Sequence, residues 1–135
     1  MKGHKLLTTI FFLFGGLIFD ARSQAQTIYQ KLNEVATKIN KSMPQIIDEY
    51  AELDSLKVIP PDTLQYYATV FHVNKTSESI SRIKHIMGAK MLKTIKTQQD
   101  FKPYRDNKIK IVYKYYDENK VFLFAIFLTP EKYLN

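Results

Sequence analysis

Two hydrophobic periods run along the chain, one typical of helices and one typical of strands. Steps of four, three, four and four between apolar residues predict a first amphipathic helix, which Pro44 ends or kinks. Its apolar stripe consists of Ile28, Leu32, Val35, Ile39 and Met43. The same period predicts a second helix over residues 77–97, with Ile80, Ile83, Met87, Met91 and Ile95 on its apolar side. Gly88 lies within this helix, and we expect a close approach to the sheet to explain it.

Four segments rich in β-branched and aromatic residues are predicted to be strands: 53–59, 64–73, 108–116 and 121–129. The last is apolar from Val121 to Leu128, which predicts a central strand or one whose outer face is covered. The order α-β-β-α-β-β predicts an α+β fold, with a four-stranded antiparallel sheet and two helices packed on one face. We expect a loop over residues 100–107. We also expect one core to contain Met87, Ile111, Tyr113 and either Phe122 or Leu123.

The N-terminal residues have the order of a secretory signal peptide. A basic start precedes an apolar run from Leu6 to Phe19, which is too short to span a membrane. Ser23 and Ala25 then provide the small residues that signal peptidase requires, so we expect cleavage before Gln26. The alternative is an uncleaved anchor, and the protein would then meet a membrane only through this segment.

The composition predicts one small exported domain after this leader. We assign residues 1–25 to the signal peptide and residues 26–135 to a single α+β domain, whose length suits one hydrophobic core. The chain has no cysteine. It therefore offers neither a bacterial lipoprotein site nor a disulfide, and packing must stabilise the fold. These features predict a periplasmic or secreted bacterial protein.

Charge is unevenly distributed along the chain, whose formal net charge is +7. Acidic residues outnumber lysines between residues 27 and 62, whereas basic residues dominate residues 75–110. Two explanations stay open: the halves attract each other across the fold, or the basic half meets an anionic partner. The polar side of the second helix supplies candidates for such a partner surface, although it could equally serve only solubility: Arg82, His85, Lys93 and Lys96.

A cluster of acidic residues at the start of the first predicted strand, which comprises Asp48, Glu49, Glu52 and Asp54, supplies the candidates for catalysis. A paired-carboxylate site would use Asp48, Asp54 and the neighbouring Ser55. In the competing interpretation the acids are solvated and Asp54 bonds a basic residue of the second half. Neither a nucleophile elbow nor metal-ligand spacing occurs, so we expect no metal and no cofactor. The aromatic last strand lacks the glycines of an RNA-recognition motif, so we expect no nucleic acid.

Three segments resemble a family of small exported bacterial proteins of unknown function: Pro44-Gln-Ile-Ile-Asp48, Leu53-Asp54-Ser55 and Leu64-Gln-Tyr-Tyr-Ala-Thr-Val70. The family pattern reads Pro-Met-Met-Val-Asp, then Leu-Asp-Ser, then Leu-Thr-Tyr-Asn-Tyr-Thr. Later segments are also similar: Phe101-Lys-Pro-Tyr104, Asp106-Asn107 and Val112-Tyr113-Lys-Tyr115. Members commonly carry a cysteine, which this chain lacks. The resemblance implies export and an α+β domain, and it transfers no activity.

We therefore interpret the chain as an exported, non-catalytic binding protein. Its partner would be another protein or an anionic component of the envelope. The alternative is a small cofactor-free hydrolase that uses the acidic segment from Asp48 to Ser55. A concave pocket around Asp54, Ser55 and a basic residue would favour the hydrolase, whereas a filled sheet face would favour binding.

Overall fold

A five-stranded sheet carries the fold, and the computed structural model describes residues 27–135. The predicted leader, residues 1–25, lies outside the described residues. The helices are α1 (Ile28–Asn40), α2 (Ser77–Thr97), α3 (Lys102–Asp106) and α4 (Pro130–Tyr133), with a 3₁₀ turn at Gln99–Phe101 before α3. The strands are β1 (Gln45–Asp48), β2 (Ala51–Ile59), β3 (Thr63–Val70), β4 (Lys110–Tyr116) and β5 (Phe122–Leu128).

The strands lie in the order β1-β2-β3-β4-β5, and β3 pairs with β4 in parallel. The α+β class is confirmed. The predicted four-stranded antiparallel sheet with two helices is wrong, since the described residues form five strands, four helices and a parallel central pair. The parallel pair arises because α2 carries the chain back across the sheet before β4 begins. The hairpins β2–β3 and β4–β5 do form, and Tyr66 lies opposite Tyr113 where they meet.

Three short elements are absent from the sequence prediction: β1, α3 and α4. Strand β1 has four residues, which are too few for an alternating pattern to show. The predicted loop over residues 100–107 is instead the 3₁₀ turn and α3, because Phe101 and Tyr104 are buried and hold this segment in the core. Helix α4 is held by the Tyr133 hydroxyl, which donates to the Ile109 carbonyl at 2.7 Å.

Helix α1 begins in a capping box and ends on the sheet. The Thr27 hydroxyl accepts from the Gln30 N–H at 3.1 Å, and the Gln30 side chain accepts from the Thr27 N–H at 3.0 Å. At the other end, the Asn40 amide donates to the Leu56 carbonyl at 2.7 Å and accepts from the Leu56 N–H at 2.9 Å. These bonds fix α1 against β2, and Leu32 of the predicted apolar stripe is fully buried there.

The core lies between the helices and one face of the sheet. Alternate residues of β3, β4 and β5 are buried in it, as the period of a strand requires. Where the hairpins meet, the rings of Tyr66 and Tyr113 stack with their centroids 4.5 Å apart. Of the predicted core residues, Phe122 is exposed and Leu123 packs against the core. The other three are confirmed as buried core residues: Met87, Ile111 and Tyr113.

Gly88 does not approach the sheet as expected. Apart from its own helix, a Cβ atom built at this position would meet no heavy atom within 4 Å. The glycine therefore weakens α2 without a packing reason, and Gly88→Ala should raise the free energy of unfolding by about 0.5–1 kcal/mol. Urea unfolding measures the change, with Ala89→Gly as the matched control that should lower stability by a similar amount. A less stable Gly88→Ala protein would contradict the open space beside α2.

Candidate interaction groove

Strand β5 forms an edge of the sheet, so the first of its two expected settings, a central position or a covered outer face, is wrong. Three large apolar side chains at this edge are about half exposed, with exposed fractions of 56% for Val121, 52% for Phe122 and 49% for Phe127. A strand that is apolar on both faces normally has both faces covered. Within the described residues, β4 is the one strand that lies beside β5. The half-exposed side chains of β5 therefore form an apolar patch of the kind that marks interaction sites.

The outer edge of β5 presents backbone groups to solvent. The Lys132 ammonium donates to the Phe127 carbonyl at 3.1 Å, so this carbonyl points away from β4. Backbone groups of alternate residues in a strand point the same way, which places those of Ala125 on the same edge. A lysine at an exposed edge is a common protection against pairing with other chains.

Helix α2 forms the other wall of a groove beside this edge. The groove has a volume of about 580 Å³ and is lined on the β5 side by residues 125–128 together with Lys132. Its helical wall consists of residues at intervals of three and four, which is one side of the helix: Ser81, Lys84, His85, Gly88, Ala89 and Leu92. Serine, glycine and alanine make much of this wall shallow, and the space beside Gly88 is open.

A second groove of about 1080 Å³ continues the first around the edge of β5. The two share Ser81, Lys84, Ala125 and Phe127 in their linings and so form one continuous surface, which we call the α2–β5 groove. Its outer part is aromatic, because the rings of Tyr116 and Phe122 meet edge to face with centroids 5.6 Å apart. The α2–β5 groove therefore joins an apolar strip, a strand edge and a helix side.

Basic side chains dominate the charge of the α2–β5 groove. Its lining contains four lysines and one histidine: Lys75, Lys84, Lys114, Lys132 and His85. Among the lining residues of the described chain, Asp117 is the one carboxylate. The groove is thus apolar along its length and positively charged along its walls.

Asp117 is already engaged within the fold and does not offset the other lysines. Its carboxylate accepts from the Val121 N–H at 2.9 Å and from the Asn119 N–H at 2.8 Å, and it lies 3.2 Å from the Lys75 ammonium. These contacts lower the pKa of Asp117, and the hydrogen bond from the Val121 N–H has the largest effect. Lys75 also bonds Glu118 at 2.6 Å, which raises the pKa of Lys75. The turn from 117 to 120 is fixed by these bonds.

One of the four predicted partner-surface residues lines the groove. His85 is exposed in its helical wall. Arg82 is exposed but pairs with Glu78 at 3.2 Å one turn away, while Lys93 and Lys96 are exposed elsewhere on α2. The sequence prediction misses Lys84, Lys132 and Phe127. The sequence does contain a sign that Phe127 belongs to an interaction surface. Strand β5 is apolar at nearly every position, whereas an edge strand with one covered face requires apolar residues on that face alone.

The acidic candidates lie on the sheet, away from the groove. The Asp54 carboxylate accepts from the Thr69 hydroxyl at 2.7 Å, where a basic partner was expected. A hydrogen bond with Asp54, followed by burial, raises the pKa of the Glu52 carboxyl. Ser55 is opposite Tyr67 in the register, and Asp48 is the last residue of β1. Neither part of the α2–β5 groove is lined by Glu52, Asp54 or Ser55, so the structure does not bring these three residues into a concave site there.

The ion pairs of the structure bear on the charge asymmetry. They join Lys75 to Asp117 and Glu118, Arg82 to Glu78, and Lys102 to Asp106, so none of these four pairs joins the acidic residues 27–62 to the basic residues 75–110. The charge of Lys120, which follows the basic segment, favours ionisation of Glu52 in the acidic segment. Within residues 27–135, no cluster of three metal-ligating side chains occurs. The helices of this range are also too short or too polar to cross a bilayer.

Comparisons with known proteins give a family and a fold. The family model described as Domain of unknown function (DUF8479) matches residues 26–124. No curated protein matches the chain in sequence. A crystal structure of a candidate secreted protein from Pseudomonas aeruginosa is similar, with a TM-score of 0.62 and 10% sequence identity. The match covers 78% of this chain and 91% of that one.

Two pilotins of type II secretion systems share the fold as well. AspS from Vibrio cholerae matches with a TM-score of 0.54 at 9% identity, over 78% of this chain and 91% of AspS. EpsS from Vibrio vulnificus matches with a TM-score of 0.56 at 9% identity, over 78% of this chain and 90% of EpsS. At such low identity the likeness concerns the fold alone.

Proposed function

The chain belongs to the family described as Domain of unknown function (DUF8479), and we propose that it is an exported, non-catalytic protein that binds a protein partner in the bacterial envelope. The observation that carries the proposal is β5, whose sequence is that of a covered strand and whose position is a bare edge. A bound partner would cover Phe122 and Phe127. The α2–β5 groove is the surface through which we expect this binding.

Export is the part of the proposal that rests on the leader. The signal-like residues 1–25 support it, and the family match begins directly after them, at residue 26. The neighbours in fold support an envelope or secreted setting, since one is a candidate secreted protein and two are secretion-system pilotins. A component of an envelope or secretion assembly is therefore the class of partner we propose.

Site-specific photo-crosslinking in the producing bacterium tests this function. A photoreactive phenylalanine analogue is placed at Ala89 or Phe127, on opposite walls of the groove, or at Lys57, an exposed residue of β2. We expect positions 89 and 127 to crosslink the same envelope protein, identified by mass spectrometry, and position 57 to miss it. The same products from all three positions, or none from the groove, would disprove the proposal.

A further inference from the structure

We infer that the α2–β5 groove binds an extended, acidic segment of the partner, which adds to the sheet as a strand beside β5. This inference rests on the proposed function and specifies the chemistry of its site. Its elements are the edge of β5, the shallow helical wall and the basic lining. Each of these limits what can occupy the groove.

The two edges of the sheet differ in a way that favours β5 as a pairing edge. The opposite edge, β1, has four residues, and its pairing with β2 is irregular between Ile46 and Asp48. Short and irregular edge strands are poor templates for another strand. Strand β5 has seven residues, and its pairing with β4 shifts register once, between Tyr115 and Tyr116, and is continuous from Phe124 to Leu128. It therefore offers a regular edge for an added strand.

The space beside β5 fits a strand better than a helix. Neighbouring strands lie about 4.8 Å apart, whereas a helix with its side chains is about 10 Å across. An added strand would send alternate side chains to the two faces of the sheet. On one face they would enter the groove toward Ser81, Gly88 and Ala89, and on the other they would meet Phe122 and Phe127. The open space at Gly88 leaves room for them.

Charge decides which extended segment fits. The lining lysines repel a second copy of this chain, in which basic residues outnumber acidic ones with or without residues 1–25. They equally disfavour the chain's own N-terminal residues, which carry Lys2, Lys5 and Arg22 against Asp20. An acidic segment would instead pair with Lys84 and Lys132. The Lys132 ammonium would then leave the Phe127 carbonyl, which would accept an N–H of the added strand in its place.

A designed peptide tests this mode of binding. The probe is a fluorescent eight-residue peptide of alternating valine and glutamate, and its binding to the exported protein is measured by fluorescence anisotropy. Two further probes carry N-methyl groups on all valine amides or on all glutamate amides. Only one of these alternate sets faces β5 in an added strand. We therefore expect one methylated peptide to bind at least tenfold more weakly and the other to keep its affinity.

Three comparisons complete the test. A peptide with lysine in place of glutamate should bind at least tenfold more weakly than the acidic peptide. Gly88→Leu should fill the groove and weaken binding at least tenfold, whereas Lys96→Leu on the same helix should not. Equal affinity of the two methylated peptides, or no binding of the unmethylated one, would overturn the inference. If crosslinking from positions 89 and 127 still finds one partner, the proposed function stands and strand addition alone fails.

Discussion

Met87→Ala and Ile111→Ala are each expected to lower the free energy of unfolding by about 2–5 kcal/mol. Met87 lies on the buried side of α2 and Ile111 on the core side of β4, and both are almost fully inaccessible to solvent. Each truncation removes apolar contacts and leaves a cavity that the surrounding side chains fill only in part. Because the chain has no cysteine, no disulfide adds to its stability, and a loss of this size is a large part of the total free energy of unfolding of a small domain.

Urea unfolding at neutral pH measures both changes. Lys93→Ala is the matched control for α2, since Lys93 is exposed and its truncation should leave stability within about 0.5 kcal/mol. A large loss in the core variants with little change in the control would support the assigned face of α2. Unchanged midpoints for Met87→Ala and Ile111→Ala would show that the helix face or the phase of β4 is wrong.

The helices could be predicted because one side of each is buried against the sheet. In α2 the apolar residues at three- and four-residue steps face the core, and the predicted bounds, residues 77–97, agree with the structure. Helix α1 is likewise marked by its stripe, with Pro44 beyond its end. Burial of one side imposes the period on the sequence, so the period can be read back from it.

The order of the strands could not be predicted in the same way. Alternation shows which side of a strand is buried, but it does not show which strand lies beside it. The parallel pair of β3 and β4 depends on where α2 returns the chain, which no residue of either strand records. For β5 the error has a physical cause: apolar residues on both faces indicate two covered faces, and the described sheet covers one.

The candidate site cannot be found from the sequence because its walls come from distant parts of the chain. Lys84 lies on α2 and Lys132 on α4, and the fold brings both beside the edge of β5. The predicted surface of Arg82, Lys93 and Lys96 follows from helical phase alone. Only His85 belongs to both sets. The density of carboxylates in the acidic segment suggests a catalytic site, yet in the sheet the Asp54 carboxylate accepts from the Thr69 hydroxyl.

Charge-reversal variants can distinguish the contribution of the groove to binding from that of the exposed lysines elsewhere on α2. Lys84→Glu with Lys132→Glu changes two lysines of the groove, and Lys93→Glu with Lys96→Glu changes two exposed lysines outside its lining. Both double variants lower the net charge by the same amount. Binding of the valine–glutamate peptide should therefore weaken in both at low salt, because the field of the whole protein contributes to attraction at long range.

At 0.15 M salt the two double variants should differ. The Debye length is then about 8 Å, so charges beyond the groove are largely screened while those touching the peptide are not. Reversing two contacting lysines replaces attraction by repulsion at both, and we expect the groove variant to bind at least tenfold more weakly than wild type. The affinity of the control variant should approach that of wild type measured at the same salt concentration, as determined by the same anisotropy titration. Equal weakening of both at high salt would mean that net charge, and not the α2–β5 groove, selects the partner.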